Sequence, residues 1–263
     1  MIDFITISFR YKALFPEYSL EIGVAKEQDI PRLAEIYRNV AVTDQNYTIR
    51  LNPMHPDNFS QVGGMFSPLD ETEIANIMRS NEGFFVKICY LNHIIGLLWV
   101  SLSDPDFENY LPNSYDQQQN AAIQRAIDSG KVLYFRDIII DHTSSLQKMP
   151  VLLLYGICDW ARQNGFTHSL CVVYKVQSYN DGHNHVVELF NKRSFRVILS
   201  SGGIDMGELP KKVVYSKSFS AVIYPEVGSF EHENVCSTIE RNLDERNIII
   251  KKVKEGDLDE TTN

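Results

Sequence analysis

The stretch from Leu133 to Phe195 constrains the fold most, because five segments of alternating character follow one another there. LYFRDIIID reads as a strand, SSLQKMP as a loop, VLLLYGICDWARQNGF as a helix with a glycine stop, HSLCVVY as a second strand and HVVELFNKRSF as a second helix. Strand and helix periods in alternation argue for an α/β chain. The loop is chemically odd. It runs into a helix N-terminus, where free N–H groups and a partial positive charge suit an anion, yet Pro150 has no amide to donate.

Two strand candidates, Ile5 to Tyr11 and Ser19 to Ala25, precede this block, and the second feeds a helix from about Gln28 to Asn39. Asp29 and Pro31 mark that helix start, and Leu33, Ile36, Tyr37 and Val40 form one apolar stripe that predicts packing on a sheet. From Ala41 to Leu69 no period persists, so a long loop is expected, with Tyr47, Met54, Phe59 and Met65 either lining a pocket or packing beneath the loop. Asp70 and Glu73 have capping-box spacing at the start of a second helix. Phe84 to Cys89 and Ile94 to Leu102 read as a hairpin turning at Leu91, Asn92 and His93, with Gly96 marking a bulge or a close backbone approach.

Beyond the hairpin, NAAIQRAIDSG reads as a short helix closed by Gly130. Ser200 to Gly207 reads as a glycine-bearing loop. Lys212 to Phe219 and Ser220 to Tyr224 read as a closing strand pair, Glu231 to Asn247 as a polar helix and Ile248 to Val253 as an extra strand. The domain organisation expected is an N-terminal extension over 1–18, one domain over 19–225 and a C-terminal extension over 226–263.

With 263 residues the chain can bury a full core, and its formal charge of −9 argues against a nucleic-acid partner, which needs clustered Lys and Arg. Cys89, Cys158, Cys171 and Cys236 lack paired CxxC spacing, so no zinc module or disulfide framework is indicated and a reducing cytoplasm fits best. No signal peptide and no membrane span is read. In the run DGHNH, which holds Asp181, His183 and His185, the alternate histidines can share a metal but no third ligand is placed by sequence, so no metal is expected. A homodimer is compatible with these features.

EIGVAKEQDIPRLAEIYRN, NHIIGLLWVSL and LFNKRSF, in that order and spacing, resemble the opening strand and helix, the hairpin and the closing segment of the GCN5-related N-acetyltransferases (GNAT). The resemblance covers about Ser19 to Tyr224. It implies a mixed, mostly antiparallel sheet flanked by helices, in the order β, α, loop, α, hairpin, β, α, β, α, β. It also implies transfer of an acetyl or other acyl group from acyl-CoA to an amine by direct attack, the acceptor being a small molecule or a Lys side chain. The pantetheine arm would pair with the strand containing Ile138, Ile139 and Ile140, and the pyrophosphate would sit on amides from Ser145, Leu146, Gln147, Lys148 and Met149.

Both small-residue positions of the family's phosphate loop are missing here, and Lys148 offers a partial replacement as a point charge. Asn184 reads either as a helix cap or, by the resemblance, as the family's pantetheine-contacting Asn displaced by one position, and the resemblance places Phe190 where relatives often have the Tyr that protonates the leaving thiolate. Phe cannot donate a proton, so Tyr174 and Tyr134 are substitute donors in principle. Asp137 is the candidate to accept the amine's proton, the alternative being a cap or ion-pair role. If the altered loop has lost its donor site, the chain is instead a GNAT-fold binding or regulatory module.

Overall fold

A computed structural model describes residues 6–11, 19–52, 54, 64–103, 117–141, 149–179, 186–244 and 248–253. Strands β1 (Thr6–Tyr11) and β2 (Ser19–Val24) lead into α1 (Ile30–Val40), and the short α2 (Tyr47–Arg50) and α3 (Glu71–Ser80) follow. Next come β3 (Gly83–Tyr90), β4 (His93–Ser101), α4 (Gln117–Asp128), β5 (Val132–Ile140), α5 (Met149–Gln163), β6 (His168–Tyr179) and β7 (Val186–Phe190). The chain continues through α6 (Lys192–Ser200), β8 (Ile204–Glu208), β9 (Lys212–Tyr215), β10 (Ser220–Glu231), α7 (His232–Asp244) and β11 (Ile248–Val253).

All the strands join one sheet in the order β11-β1-β2-β3-β4-β5-β6-β10-β8, with β7 paired to β6 and β9 to β10. Every pairing between these strands is antiparallel except β5 with β6. Parallel neighbours need a crossover, and α5 supplies it. This is the mixed, mostly antiparallel architecture flanked by helices that the GNAT resemblance implied.

Local chemistry explains the elements. Pro31 occupies the first turn of α1, and the stripe Leu33, Ile36, Tyr37 and Val40 is buried against Phe85, Leu97 and Ile139 of the sheet. Asp70 and Glu73 form the reciprocal capping box of α3, at 2.9 and 2.8 Å. Leu91 and Asn92 turn the hairpin with positive φ, as a tight two-residue connection requires. On the opposite face, α5 buries Leu152, Leu153, Tyr155, Ile157 and Cys158, because it lies between the sheet and α7.

Two segments differ from the sequence reading. HVVELFNKRSF is not one helix: Val186–Phe190 is β7, paired with the distal half of β6, and the helix begins at Lys192. The β-branched pair Val186 and Val187 suits an extended chain beside a free edge, and Asn191 then caps α6. Nor is Ser200 to Gly207 an open loop, since β8 begins at Ile204 and pairs with β10. A side chain at Gly203 would meet the Phe230 ring at 2.8 Å, so close packing explains that glycine.

Past Tyr224, β10 runs on to Glu231, α7 packs on α5, and β11 joins the sheet beside β1. Among the described residues no helix is long and apolar enough to cross a membrane.

Candidate functional site

The site arises from incomplete pairing between β5 and β6. Their parallel register runs from Val132 with His168 to Phe135 with Cys171 and stops. Further along, β6 pairs with β7 instead, from Lys175 with Phe190 to Tyr179 with Val186. No described strand covers residues 136–140 on that side. The Asp141 amide donates to the Ile95 carbonyl of β4 at 2.8 Å, so strand alternation turns the main-chain N–H and C=O groups of Ile138 and Ile140 toward the gap.

The gap is a cleft of about 130 Å³ that passes between the two faces of the sheet. Residues 135–140 and 171–174 form its walls. Val40, Gly64 and Met65 stand on the α1 side, and Pro150, Asn191, Ser194, Val197 and Ile198 on the side of α5 and α6. Met65 is held there by exchange with the end of α1: its amide donates to Val40 at 3.1 Å and its carbonyl accepts from Val42 at 2.8 Å. Of the other early-loop residues, Tyr47 stacks on Phe219, Met54 is exposed and Phe59 lies outside the described residues.

Asp137 reaches the cleft through a bulge. Opposite the β4 step from Trp99 to Val100, β5 carries one extra residue, Arg136, between Asp137 and Phe135. Leu133 and Phe135 pack toward α5, and simple alternation would send Asp137 after them. The extra residue reverses the phase, so Asp137 and Ile139 turn toward α1. The Tyr37 hydroxyl donates to Asp137 Oδ2 at 2.8 Å. Arg136 lies over the Trp99 ring, 5.4 Å from its centre.

Burial raises the Asp137 carboxyl to about 6, while the Tyr37 hydrogen bond and the Arg136 charge act the other way. Burial, and after it the neighbouring Asp137 carboxylate, hold the Tyr37 phenol well above its ordinary range. Asp137 is therefore largely ionised near neutral pH but basic enough to take a proton. On the same face, Asp141 is tied to Arg32 at 2.5 Å, and Arg32 also donates to the Ile94 carbonyl at 3.0 Å. These bonds lock α1 to the start of β4 and the end of β5.

Ile138, Ile139 and Ile140 thus line the cleft together with Asp137. Met149 opens α5, whereas Ser145, Leu146, Gln147, Lys148 and Asn184 lie outside the described residues, as does the DGHNH run. Among the described residues no group of three metal-ligating side chains occurs. Phe190 stands at the end of β7 rather than within a helix, half-buried and edge-on to Phe195 with ring centres 5.1 Å apart.

Sequence reading missed Asn191 and Ser194, which line the cleft where α6 begins, with Asn191 Oδ1 accepting from the Ser194 amide at 3.1 Å. The Asn-x-x-Ser spacing in front of an apolar run was a usable N-cap signal. It was masked by reading the preceding five residues as helix. In sequence Tyr37 belongs to the apolar stripe of α1, and nothing local pairs it with a carboxylate 100 residues away.

No family model matches the chain, and no curated protein matches it. Among solved structures, an N-acetyltransferase from Staphylococcus aureus Mu50 shares 12% identity over 81% of this chain and 98% of its own, with a TM-score of 0.46. A GNAT-family acetyltransferase from Streptococcus pneumoniae shares 14% over 81% and 98%, at 0.45. A third, yncA from Salmonella typhimurium, determined with its cofactor acetyl-CoA, shares 10% over 81% and 94%, at 0.44. The chemistry of the site stands on its own residues.

Proposed function

We propose that this chain is an N-acyltransferase that moves an acetyl or related acyl group from acyl-CoA to an amine. The observation that carries the reading is the uncovered edge of β5 with Asp137 set in the same cleft. An extended arm bearing amides can pair with the main chain of Ile138 and Ile140, as a strand would. The thioester is then held beside Asp137. A neutral amine attacks the thioester carbonyl, the new C–N bond forms as the C–S bond breaks, and Asp137 accepts the proton that the nitrogen loses.

The departing sulfur takes up a proton to leave as the thiol, and Tyr174, a cleft-lining hydroxyl, is the candidate source. A thiol's ordinary pKa of about 8.5 makes this a modest demand. The amides at the start of α5, with residues 145–149, would receive the phosphates. The acceptor is a cationic small molecule or a Lys side chain, which the charge of −9 favours through long-range attraction. A cytosolic setting agrees with four free cysteines.

A binding module without turnover is the second reading, and Pro150 favours it: the residue lines the cleft in the first turn of α5 and has no N–H for a phosphate. Calorimetry with acetyl-CoA, followed by a free-thiol assay with a panel of amines, decides between them. Saturable binding with amine-dependent thiol release is expected. Binding without release would favour the module, and absence of binding at millimolar acetyl-CoA would sink the enzyme reading.

A further inference from the structure

We infer that Tyr37 is a positioning residue for Asp137, holding one carboxylate oxygen so that the other is presented to the amine. The inference rests on the acyltransferase reading of the cleft. Its geometric basis is independent of that reading. Tyr37 is fully buried on the inward face of α1, and its hydroxyl donates to Asp137 Oδ2 at 2.8 Å. A buried phenol needs a partner, and here the partner is a cleft-lining carboxylate rather than a nearby carbonyl.

Three features make the pair a built arrangement. The bulge at Arg136 turns Asp137 toward α1 in the first place. Arg32 fixes the height of α1 against the sheet by bonding to Asp141 and to the Ile94 carbonyl, so the Tyr37 hydroxyl meets Asp137 in register. Packing of Leu33, Ile36 and Val40 on either side of Tyr37 removes alternative positions for the ring.

Among the described residues, few ionisable groups surround Asp137. Tyr37 comes from α1 and Arg136 from β5 itself; β4 places Trp99 opposite, which does not titrate, and β6 places Tyr174 across the cleft. Asp141, four residues on and on the same face, is occupied with Arg32. A hydrogen bond donated to a carboxylate favours its charged form, so Tyr37 opposes the effect of burial and keeps the base ionised at neutral pH.

The test is Tyr37→Phe in the full chain, with the Asp137 carboxyl followed by carbon-detected NMR and kcat/KM followed against pH. Loss of the hydroxyl should move the Asp137 titration upward by about one pH unit and carry the acidic limb of kcat/KM with it. The apparent KM for acetyl-CoA should stay within about twofold while kcat falls about tenfold, since the donor's contacts are made elsewhere. Replacing Tyr37 by 3-fluorotyrosine, a stronger donor of nearly the same size, should move both titrations downward; it keeps the question answerable if the Phe variant does not fold.

An unmoved carboxyl titration in a folded variant would overturn the assignment of Tyr37. A moved carboxyl titration with an unmoved kinetic limb would instead leave the hydrogen bond standing and remove Asp137 as the base, which overturns the mechanism on which Tyr37's role depends.

Discussion

At the scale of single residues, Asp137 and His232 make opposite demands on pH. Burial raises the Asp137 carboxyl from 3.8 to about 6, so the folded state binds more protons than the unfolded one across that window, and its contribution to stability falls as pH rises through it. His232 is 1% exposed, and its ring is held between the Phe166 carbonyl at 3.0 Å and Ser169 Oγ at 2.6 Å. A carbonyl only accepts, so Nδ1 carries the proton and Nε2 accepts from the serine. Desolvation lowers this imidazole from 6.5 to about 4, and the stability it supports is lost as pH falls from about 6.5 toward 4. His232→Gln should therefore flatten the acid side of the stability curve, measured by urea denaturation between pH 4 and 7. Asp137→Asn should do the reverse of ordinary damage: at pH 8 it removes a buried charge and raises stability by up to about 3 kcal/mol, with little change below pH 4. Amine-dependent turnover should fall by at least a hundredfold in the same variant. A loss of stability at pH 8 without loss of turnover would show Asp137 to be structural.

At the scale of elements, the cleft depends on how closely β4 and β5 approach. Gly96 stands opposite Ile140, and a Cβ there would lie 2.8 Å from the Ile139 carbonyl oxygen and 2.6 Å from the Ile140 side chain. The carbonyl cannot swing aside, so Gly96→Ala should push β5 toward the gap, cost about 1–3 kcal/mol in chemical denaturation and weaken acetyl-CoA binding in calorimetry. Sequence made this glycine legible as a bulge or close approach, just as capping chemistry made α3 legible and the aromatic and β-branched residues Tyr134, Phe135, Ile138, Ile139 and Ile140 made β5 legible. It did not make the Arg136 bulge legible. Leu133, Phe135, Asp137 and Ile139 alternate without interruption along the chain, and only pairing with β4 shows that one residue is extra. β7 was hidden for the same reason: five residues with both helical and extended potential take the extended form because the edge of β6 is open to them.

At the scale of the molecule, the segment after β10 decides whether the chain has one core or a core with an appendage. Its helix and strand were legible in the sequence, but their partners were not, because Tyr155 of α5 and Glu240 of α7 are 85 residues apart and β11 meets β1 across most of the chain's length. α7 buries Val235, Cys236, Ile239 and Leu243 in the same cluster as Leu152, Tyr155 and Phe230, and Tyr155 donates to Glu240 at 2.7 Å. Burial of four such side chains contributes roughly 6–12 kcal/mol at about 1.5–3 kcal/mol each. That equals most of the 5–15 kcal/mol by which a typical domain is stable. Removal would also expose the outer face of α5, the helix whose first turn borders the cleft. A chain ending at Glu231 should therefore show no cooperative thermal transition and no binding of acetyl-CoA, measured by circular dichroism and calorimetry on the purified fragment. Tyr155→Phe, which removes one hydrogen bond and leaves the packing, should lower stability by only about 1–2 kcal/mol and keep binding intact. A truncated chain that melts cooperatively would mean that the core closes without α7, and that the helix was added to a fold already complete.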